Sequence, residues 1–144
     1  MFPGTMTIRR ASCTCGQLHL DAAGEPLRVS VCHCLACQQR TGSAFGAQAR
    51  FRRDQISGLE GRETVFVRVG DSGSPITFHF CPVCGSTVYY EMKGTEPPFT
   101  SEFVAVAVGA FADPQFPEPR VSVYEARRHP WVKLLEGEGV EHWE

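Results

Sequence analysis

Seven cysteines, grouped in three clusters, are the residues of this 144-residue chain best suited to chemistry. The clusters are Cys13-Thr14-Cys15, Cys32-His33-Cys34-Leu35-Ala36-Cys37 and Cys81-Pro82-Val83-Cys84-Gly85. An odd number of cysteines leaves one thiol over in any framework made of disulfides alone, and the cytosol keeps thiols reduced. Clustered thiolates are instead typical ligands of zinc. We therefore expect the cysteines to bind zinc.

The third cluster has the spacing of a zinc knuckle, in which Cys81 and Cys84 are followed by Gly85. Glycine allows the left-handed turn that directs backbone N–H groups at the two sulfurs. A knuckle supplies only two of the four ligands that a structural zinc requires. Cys13 and Cys15 are the simplest source of the other two, because residues i and i+2 share a face of a strand.

Cys32, Cys34 and Cys37 remain, and they are close enough in sequence to coordinate one zinc ion from one side. Three protein ligands with a position left for water or substrate is the pattern of catalytic zinc. The alternative is a closed site, for which the candidate fourth ligands are carboxylates and three histidines, His33, His79 and His129. His33 lies between two of the cysteines, so we expect its side chain to point away.

Two simpler interpretations of the cysteines compete with a catalytic one. In the first, both zinc ions only hold the fold together, and the chain is a non-catalytic zinc module that binds a partner protein or a small thiol. In the second, one zinc is bound and three thiols stay free. The second is disfavoured because three neighbouring free thiols have no packing rationale.

The order of the motifs resembles that of the glutathione-dependent formaldehyde-activating family, whose members are S-(hydroxymethyl)glutathione synthase-like. The resemblance rests on Cys-x-Cys-Gly, then Cys-His-Cys-x-x-Cys followed by Thr-Gly-Ser-Ala-Phe-Gly, then Phe-Cys-x-x-Cys-Gly-Ser. It covers roughly residues 7–125, and we expect residues 1–144 to form a single zinc-binding domain of this type.

This resemblance implies a mainly β protein with a β-tent fold of antiparallel sheets and two zinc ions per chain. The structural zinc ligands would be Cys13, Cys15, Cys81 and Cys84. The catalytic zinc ligands would be Cys32, Cys34 and Cys37. The implied reaction joins a small thiol such as glutathione to formaldehyde, which in reverse is a carbon–sulfur lyase reaction. A redox activity like that of methionine sulfoxide reductase B, which shares the tent-like fold, is disfavoured because every cysteine is committed to metal.

Other side chains near the cysteines are candidates for the substrate pocket. Ser43 and Phe45 match the family pattern and are expected to line it, although Phe45 also suits the core of a strand. Arg40, Arg50 and Arg52 could offset the negative charge of a fourth thiolate, or they could be ordinary surface arginines. His79 and His129 are candidate general bases, although a lone histidine is more often structural.

Short elements separated by turns must position these residues. Alternating or β-branched stretches predict strands over 17–21, 27–31, 44–51, 63–69, 76–80, 87–91, 103–108 and 121–124, the last at a sheet edge. Residues 35–41 favour a short helix that ends at Gly42. We expect loops over 93–101 and 112–119, a short helix over 130–135, and a core closed by Trp131 and Trp143.

Composition excludes several classes of partner. The net charge of −2 provides no basic surface for nucleic acid, and no stretch approaches the roughly 18 apolar residues of a membrane span. The first residues lack the apolar segment of a signal peptide. The sequence therefore predicts a cytoplasmic protein that binds neither nucleic acid nor membranes.

Overall fold

The computed structural model describes residues 6–70, 73–92, 102–133 and 139–144. The strands are β1 Ile8–Ser12, β2 His19–Ala23, β3 Arg28–Cys32, β4 Gly46–Arg52, β5 Ile56–Glu60, β6 Thr64–Val69, β7 Pro75–Phe80, β8 Thr87–Met92, β9 Phe103–Ala107, β10 Val121–Val123 and β11 Glu141–His142. The α-helix is α1 Leu35–Thr41, and the 3-10 helices are Arg53–Gln55, Val108–Phe111 and Glu125–Arg127.

The strands form two sheets. An antiparallel three-stranded sheet has the order β1-β2-β5, and an eight-stranded sheet has the order β11-β10-β3-β4-β9-β8-β7-β6. The larger sheet is mixed, because β10 pairs in parallel with both β3 and β11. The mainly β prediction and the tent-like arrangement are confirmed, with parallel pairing at one end of the larger sheet as the difference.

Most predicted elements occur within two residues of their expected bounds. The helix over 35–41 is confirmed, and Gly42 ends it in the left-handed conformation with φ of 66°. The apolar strand β9 lies near the centre of the larger sheet, and the loop over 112–119 contains no helix or strand. The loop predicted over 93–101 lies outside the described residues.

Three expectations about the architecture are wrong, and the sequence did not predict strands β1, β5 and β11. β10 is not an edge strand, because β11 pairs along its far side. β5 was not predicted, since its sequence around Gly58 lacks alternation and only pairing with β2 defines it. Residues 130–131 lie in a turn and 132–133 are irregular, so the described part of this segment is not a helix, while 134–135 are outside the described residues. Trp131 and Trp143 do not close the core, because they are 70% and 47% exposed.

The two faces of the larger sheet carry different kinds of side chain, one packing in the core and the other bearing cysteine and polar groups. Val29, Ala49 and Val106 are register partners across β3, β4 and β9, and they pack in the core with Leu20 and Ala22 of the smaller sheet. Side chains alternate along a strand, so the intervening positions point to the opposite face. We call that face the site face. It carries Arg28, Ser30 and Cys32 of β3 and, in the same order, their register partners Arg50, Gln48 and Gly46 of β4.

Two general features of the described chain bear on function. Among these residues no helix is long and apolar enough to cross a membrane. The chain also makes a close backbone approach at Gly61, where φ is +105° and a Cβ atom would lie 2.0 Å from the carbonyl oxygen of Gln17. Only glycine fits there, because both the conformation and the space exclude a side chain.

Replacing Gly61 by alanine should therefore destabilise the protein strongly. We expect Gly61→Ala to lower the free energy of unfolding by about 3 kcal/mol or more, since a clash with backbone adds to the left-handed strain. Gly73→Ala is the matched control, because Gly73 has φ of +86° with no atom within 4 Å of the added Cβ. Urea unfolding measures both, and equal losses would contradict the close approach.

Candidate metal centres

The first cysteine cluster joins two turns that are far apart in sequence. Cys13 and Cys15 follow β1, Cys81 and Cys84 lie between β7 and β8, and all four sulfurs lie within 4.8 Å of one another. The Sγ atoms of Cys13 and Cys15 are 3.6 Å apart, and those of Cys15 and Cys81 are 3.7 Å apart. Tetrahedral zinc with bonds of about 2.3 Å requires sulfurs roughly 3.8 Å apart, so the geometry fits.

Hydrogen bonds to the sulfurs support thiolates at this cluster. The backbone N–H groups of Val83 and Cys84 point at Cys81 Sγ, at 3.3 and 3.5 Å, as the knuckle prediction requires. Gly85 makes this turn possible with φ of +79°. Hydrogen bonding between the side chains of Cys84 and Ser86 is the main reason that the pKa of Cys84 is lowered, to about 5. Donors of this kind offset the charge of thiolates before metal binds.

Gln17 fixes this cluster to the segment that precedes β6. Its Nε2 donates to Cys81 Sγ at 2.9 Å and to the carbonyl of Arg62 at 2.8 Å. Its Oε1 accepts from the Arg62 backbone N–H at 2.8 Å. The same glutamine therefore orients a sulfur and clamps the chain that passes close to it beside Gly61. Sequence analysis missed Gln17, and nothing in its neighbourhood signals the role.

The second cluster is built by one strand end and one helix start. Cys32 ends β3, Cys34 is the N-cap of α1, and Cys37 lies in the first turn of that helix. Cys34 Sγ accepts the backbone N–H of Cys37 at 3.3 Å, as the oxygen of a serine cap would. The three sulfurs lie within 4.8 Å of one another. Cys32 and Cys37 are buried and Cys34 is half-buried, so the cluster opens to solvent on the Cys34 side.

The electrostatics of this cluster single out Cys34. Hydrogen bonds from the thiols of Cys32 and Cys37 lower the pKa of Cys34 to about 2, and the positive charge of Arg68 acts in the same direction. The pKa of Cys32 is raised, chiefly by its hydrogen bond to Cys34. These contacts favour the thiolate form at Cys34 over that at Cys32. Three thiolate donors suit zinc, whose binding displaces the remaining protons.

In the described ranges no fourth histidine, cysteine or carboxylate joins the three sulfurs. Each candidate histidine binds elsewhere. His33 points away, with its Nε2 3.1 Å from the hydroxyl of Ser122. His79 lies between two carboxylates, 2.7 Å from Glu63 and 2.8 Å from Glu91. The Nε2 of His129 is 2.8 Å from the side-chain oxygen of Gln38.

The family model described as glutathione-dependent formaldehyde-activating enzyme matches residues 8–127. The chain belongs to this family. The matched segment runs from the start of β1 to the 3-10 helix Glu125–Arg127 and contains both cysteine clusters. The resemblance drawn from the three motifs is thereby confirmed.

The predicted pocket residues of this family member lie in three different situations. Arg40 stacks on two aromatic rings beside the cluster, 5.0 Å from the Phe78 ring centre and 5.3 Å from that of Tyr90. Phe45 packs against His33 with ring centres 5.9 Å apart. Ser43 is exposed on the turn after α1, where its N–H donates to Thr41 Oγ1 at 3.2 Å.

The other two candidate arginines differ from each other. Arg52 is exposed and paired with Asp54 at 3.1 Å, which makes it an ordinary surface arginine. Arg50 is half-buried on the site face, on the same side of the sheet as Cys32. Sequence reasoning missed its neighbours Arg28 and Gln48, although their even spacing from Cys32 and Gly46 is a period-two signal that would have found them.

Gly46 allows α1 to pack beside the second cluster. It is the register partner of Cys32, and a Cβ there would lie 3.0 Å from Arg40 and 3.5 Å from the Cβ of Cys37. A larger residue would push the helix away from β3. The sulfurs of Cys34 and Cys37 would then move away from that of Cys32.

Serine substitution at one cysteine of each cluster should separate their contributions to stability. Cys15 and Cys81 are 66 positions apart, so metal at the first cluster cross-links distant segments, and structural zinc binding is worth on the order of 10 kcal/mol. We expect Cys84→Ser to lower the melting temperature by roughly 10 °C or more, and Cys34→Ser by less than about 3 °C. The smaller effect follows because the second cluster links only neighbouring residues, and a serine at 34 still caps α1.

Thermal unfolding with zinc analysis of each variant checks this prediction. Wild-type protein treated in parallel is the reference. If Cys34→Ser destabilised the fold as much as Cys84→Ser, the division into a structural and an open site would be wrong.

Proposed function

We propose that this protein is a zinc-dependent carbon–sulfur lyase that also runs in the direction of synthesis, joining glutathione to formaldehyde to give S-hydroxymethylglutathione. The observation that carries the proposal is the convergence of the Cys32, Cys34 and Cys37 sulfurs without a fourth ligand among the described residues. In this account the protein binds two zinc ions. Cys13, Cys15, Cys81 and Cys84 hold the structural one, and the other three cysteines hold the catalytic one.

The open position suits a sulfur ligand. Zinc, when bound there, supplies a Lewis acid that lowers the pKa of an incoming thiol. Three thiolates and a dication carry a formal charge of −1, so a fourth thiolate needs compensation nearby. The guanidinium of Arg40 and the charge of Arg68 provide it, since each acts electrostatically on a sulfur of the cluster.

The reaction balances without a redox partner. The sulfur of the thiol forms a bond to the carbonyl carbon of formaldehyde, and the electron pair of the C=O bond moves to oxygen. The proton lost by the thiol ends on that oxygen. In the lyase direction the carbon–sulfur bond breaks and the hydroxyl proton returns to sulfur. The contribution of the chain is to orient the sulfur and to balance its charge.

The position of the aromatic side chains favours a shielded reaction site. Phe78 and Tyr90 are buried, and their rings are 5.1 Å apart beneath Arg40. Arg40 lies over both rings beside the cluster, so apolar groups surround its charge on that side. Low local polarity strengthens the attraction between arginine and thiolate. We also place the protein in the cytoplasm, because both the cysteines and the co-substrate must stay reduced.

The first test combines zinc content with glutathione binding. We expect two zinc ions per chain, of which mild chelation removes one because a site with three protein ligands binds metal less tightly than a closed one. Calorimetry should show glutathione binding before chelation, loss of binding after it and recovery when zinc is added back. Formaldehyde consumption in the presence of glutathione should follow the same pattern.

Two results would contradict the proposal. If both zinc ions resisted chelation and glutathione did not bind, the second cluster would be closed and the protein would be a zinc module. If glutathione bound equally well after one zinc was removed, the thiol would not be a zinc ligand.

A further inference from the structure

The site face carries a pair of arginines that face each other next to the second cluster. Arg28 of β3 and Arg50 of β4 are register partners. The next pair on this face is Ser30 opposite Gln48, and the pair after that, at the cluster, is Cys32 opposite Gly46. Successive residues on one face of a strand are roughly 6.6 Å apart along it. Ser30 therefore lies about 7 Å from Cys32 along β3, and Arg28 lies about 13 Å from it.

Neither arginine of this pair has a counter-ion in the part of the chain that the structure describes. Other arginines do, since Arg9 pairs with Glu25 and Arg52 with Asp54. Arg28 and Arg50 instead lie over aromatic rings, those of Trp143 and Phe103, each 5.5 Å from the ring centre. The pKa of Arg50 is lowered by burial and then by the charge of Arg28. Two like charges placed together destabilise a fold, so this pair calls for a ligand of opposite charge.

A concave site of about 80 Å³ lies between these side chains, walled by Tyr90 and Phe103. Its polar groups are arranged for more than one contact. Gln48 donates to Ser30 Oγ at 2.7 Å, which leaves the serine proton free to be donated to a bound oxygen. The buried side-chain oxygen of Gln48 has no partner and can accept an N–H group. The site therefore offers two cations, a hydroxyl donor and one amide acceptor.

We propose that Arg28 and Arg50 bind a carboxylate of the thiol substrate, so that the enzyme selects amino-acid or peptide thiols over uncharged ones. The inference rests on the proposed function, because it assumes that the sulfur sits at the Cys32, Cys34 and Cys37 cluster. The distance from the cluster to the arginine pair, about 7 to 13 Å along β3, is comparable to the distance between the sulfur and a carboxylate in a short peptide thiol. The free oxygen of Gln48 then receives an amide or ammonium N–H of the same ligand.

The test uses Arg50→Gln in the zinc-loaded protein, with Arg52→Gln as the matched control. Arg52 is on the same strand and the same face two residues on, but its charge is already neutralised by Asp54. We expect Arg50→Gln to weaken glutathione binding on the order of tenfold in calorimetry, as loss of a charged hydrogen bond does, and Arg52→Gln to leave it unchanged. Binding of 2-mercaptoethanol, which has no carboxylate, should be the same in all three proteins.

Stability distinguishes a binding role from a structural one. Removing one of two unpaired, partly buried charges should leave the melting temperature of the ligand-free protein equal or raise it. A merely structural arginine would give a lower melting temperature and equal losses of binding for glutathione and 2-mercaptoethanol. Arg28→Gln serves as a second variant with the same expectations.

S-Methylglutathione, which keeps both carboxylates but has no thiol, separates this inference from the proposed function. Weak binding that is lost in Arg50→Gln supports the carboxylate site even if zinc removal leaves glutathione binding unchanged, a result that would overturn only the proposed function. If zinc removal abolishes glutathione binding while Arg50→Gln and Arg28→Gln bind it normally, the carboxylate site is refuted and the proposed function stands. If wild-type protein binds neither compound, both are refuted.

Discussion

The convergence of two distant cysteine pairs on one point is the constraint on which the rest of the structure depends. Cys13 and Cys15 leave the smaller sheet, and Cys81 and Cys84 connect two strands at the other end of the larger one. The sulfur spacings of 3.6 and 3.7 Å are those of ligands around one tetrahedral ion. The four sulfurs meet where the two sheets come together and where Gln17 and Gly61 also bring the backbones close.

The other three cysteines do not take part in this cluster and are held by different elements. Cys32 is held by the pairing of β3 with β4, and Cys34 and Cys37 are held by the first turn of α1. Gly46 provides the space that brings strand and helix together. The resulting cluster depends on local backbone geometry, so the ligand exchange that we propose there would not loosen the fold.

Two sets of arginines lie at different distances from the cluster of Cys32, Cys34 and Cys37. Arg40 and Arg68 lie close to the sulfurs, where they offset the charge of an additional thiolate. Arg28 and Arg50 lie further along the same face, with Arg28 about 13 Å from Cys32 along β3, a distance within the length of a small peptide. The alternation of side chains along β3 and β4 keeps these groups on one face, where we propose that the sulfur and the carboxylate of one ligand bind.

Much of this architecture was predictable from sequence, because cysteine spacing and short-range alternation are local signals. The grouping of the cysteines, the helix over 35–41 and the central strand β9 all follow from such signals. β5, the interior position of β10 and the exposure of Trp131 depend on pairing and packing with distant segments, which no local pattern encodes. The same is true of Gln17, whose partners are 45 and 64 positions away.

The central claim is that the cluster of Cys32, Cys34 and Cys37 holds a metal ion with a coordination position open to a thiol. Cobalt(II) substituted for zinc tests it most directly, because its absorption spectrum reports the number of thiolates bound. The account predicts that glutathione adds one sulfur-to-cobalt charge-transfer contribution in the wild-type protein and none in Cys34→Ser. A spectrum unchanged by saturating glutathione would show that the position is closed and would contradict the account.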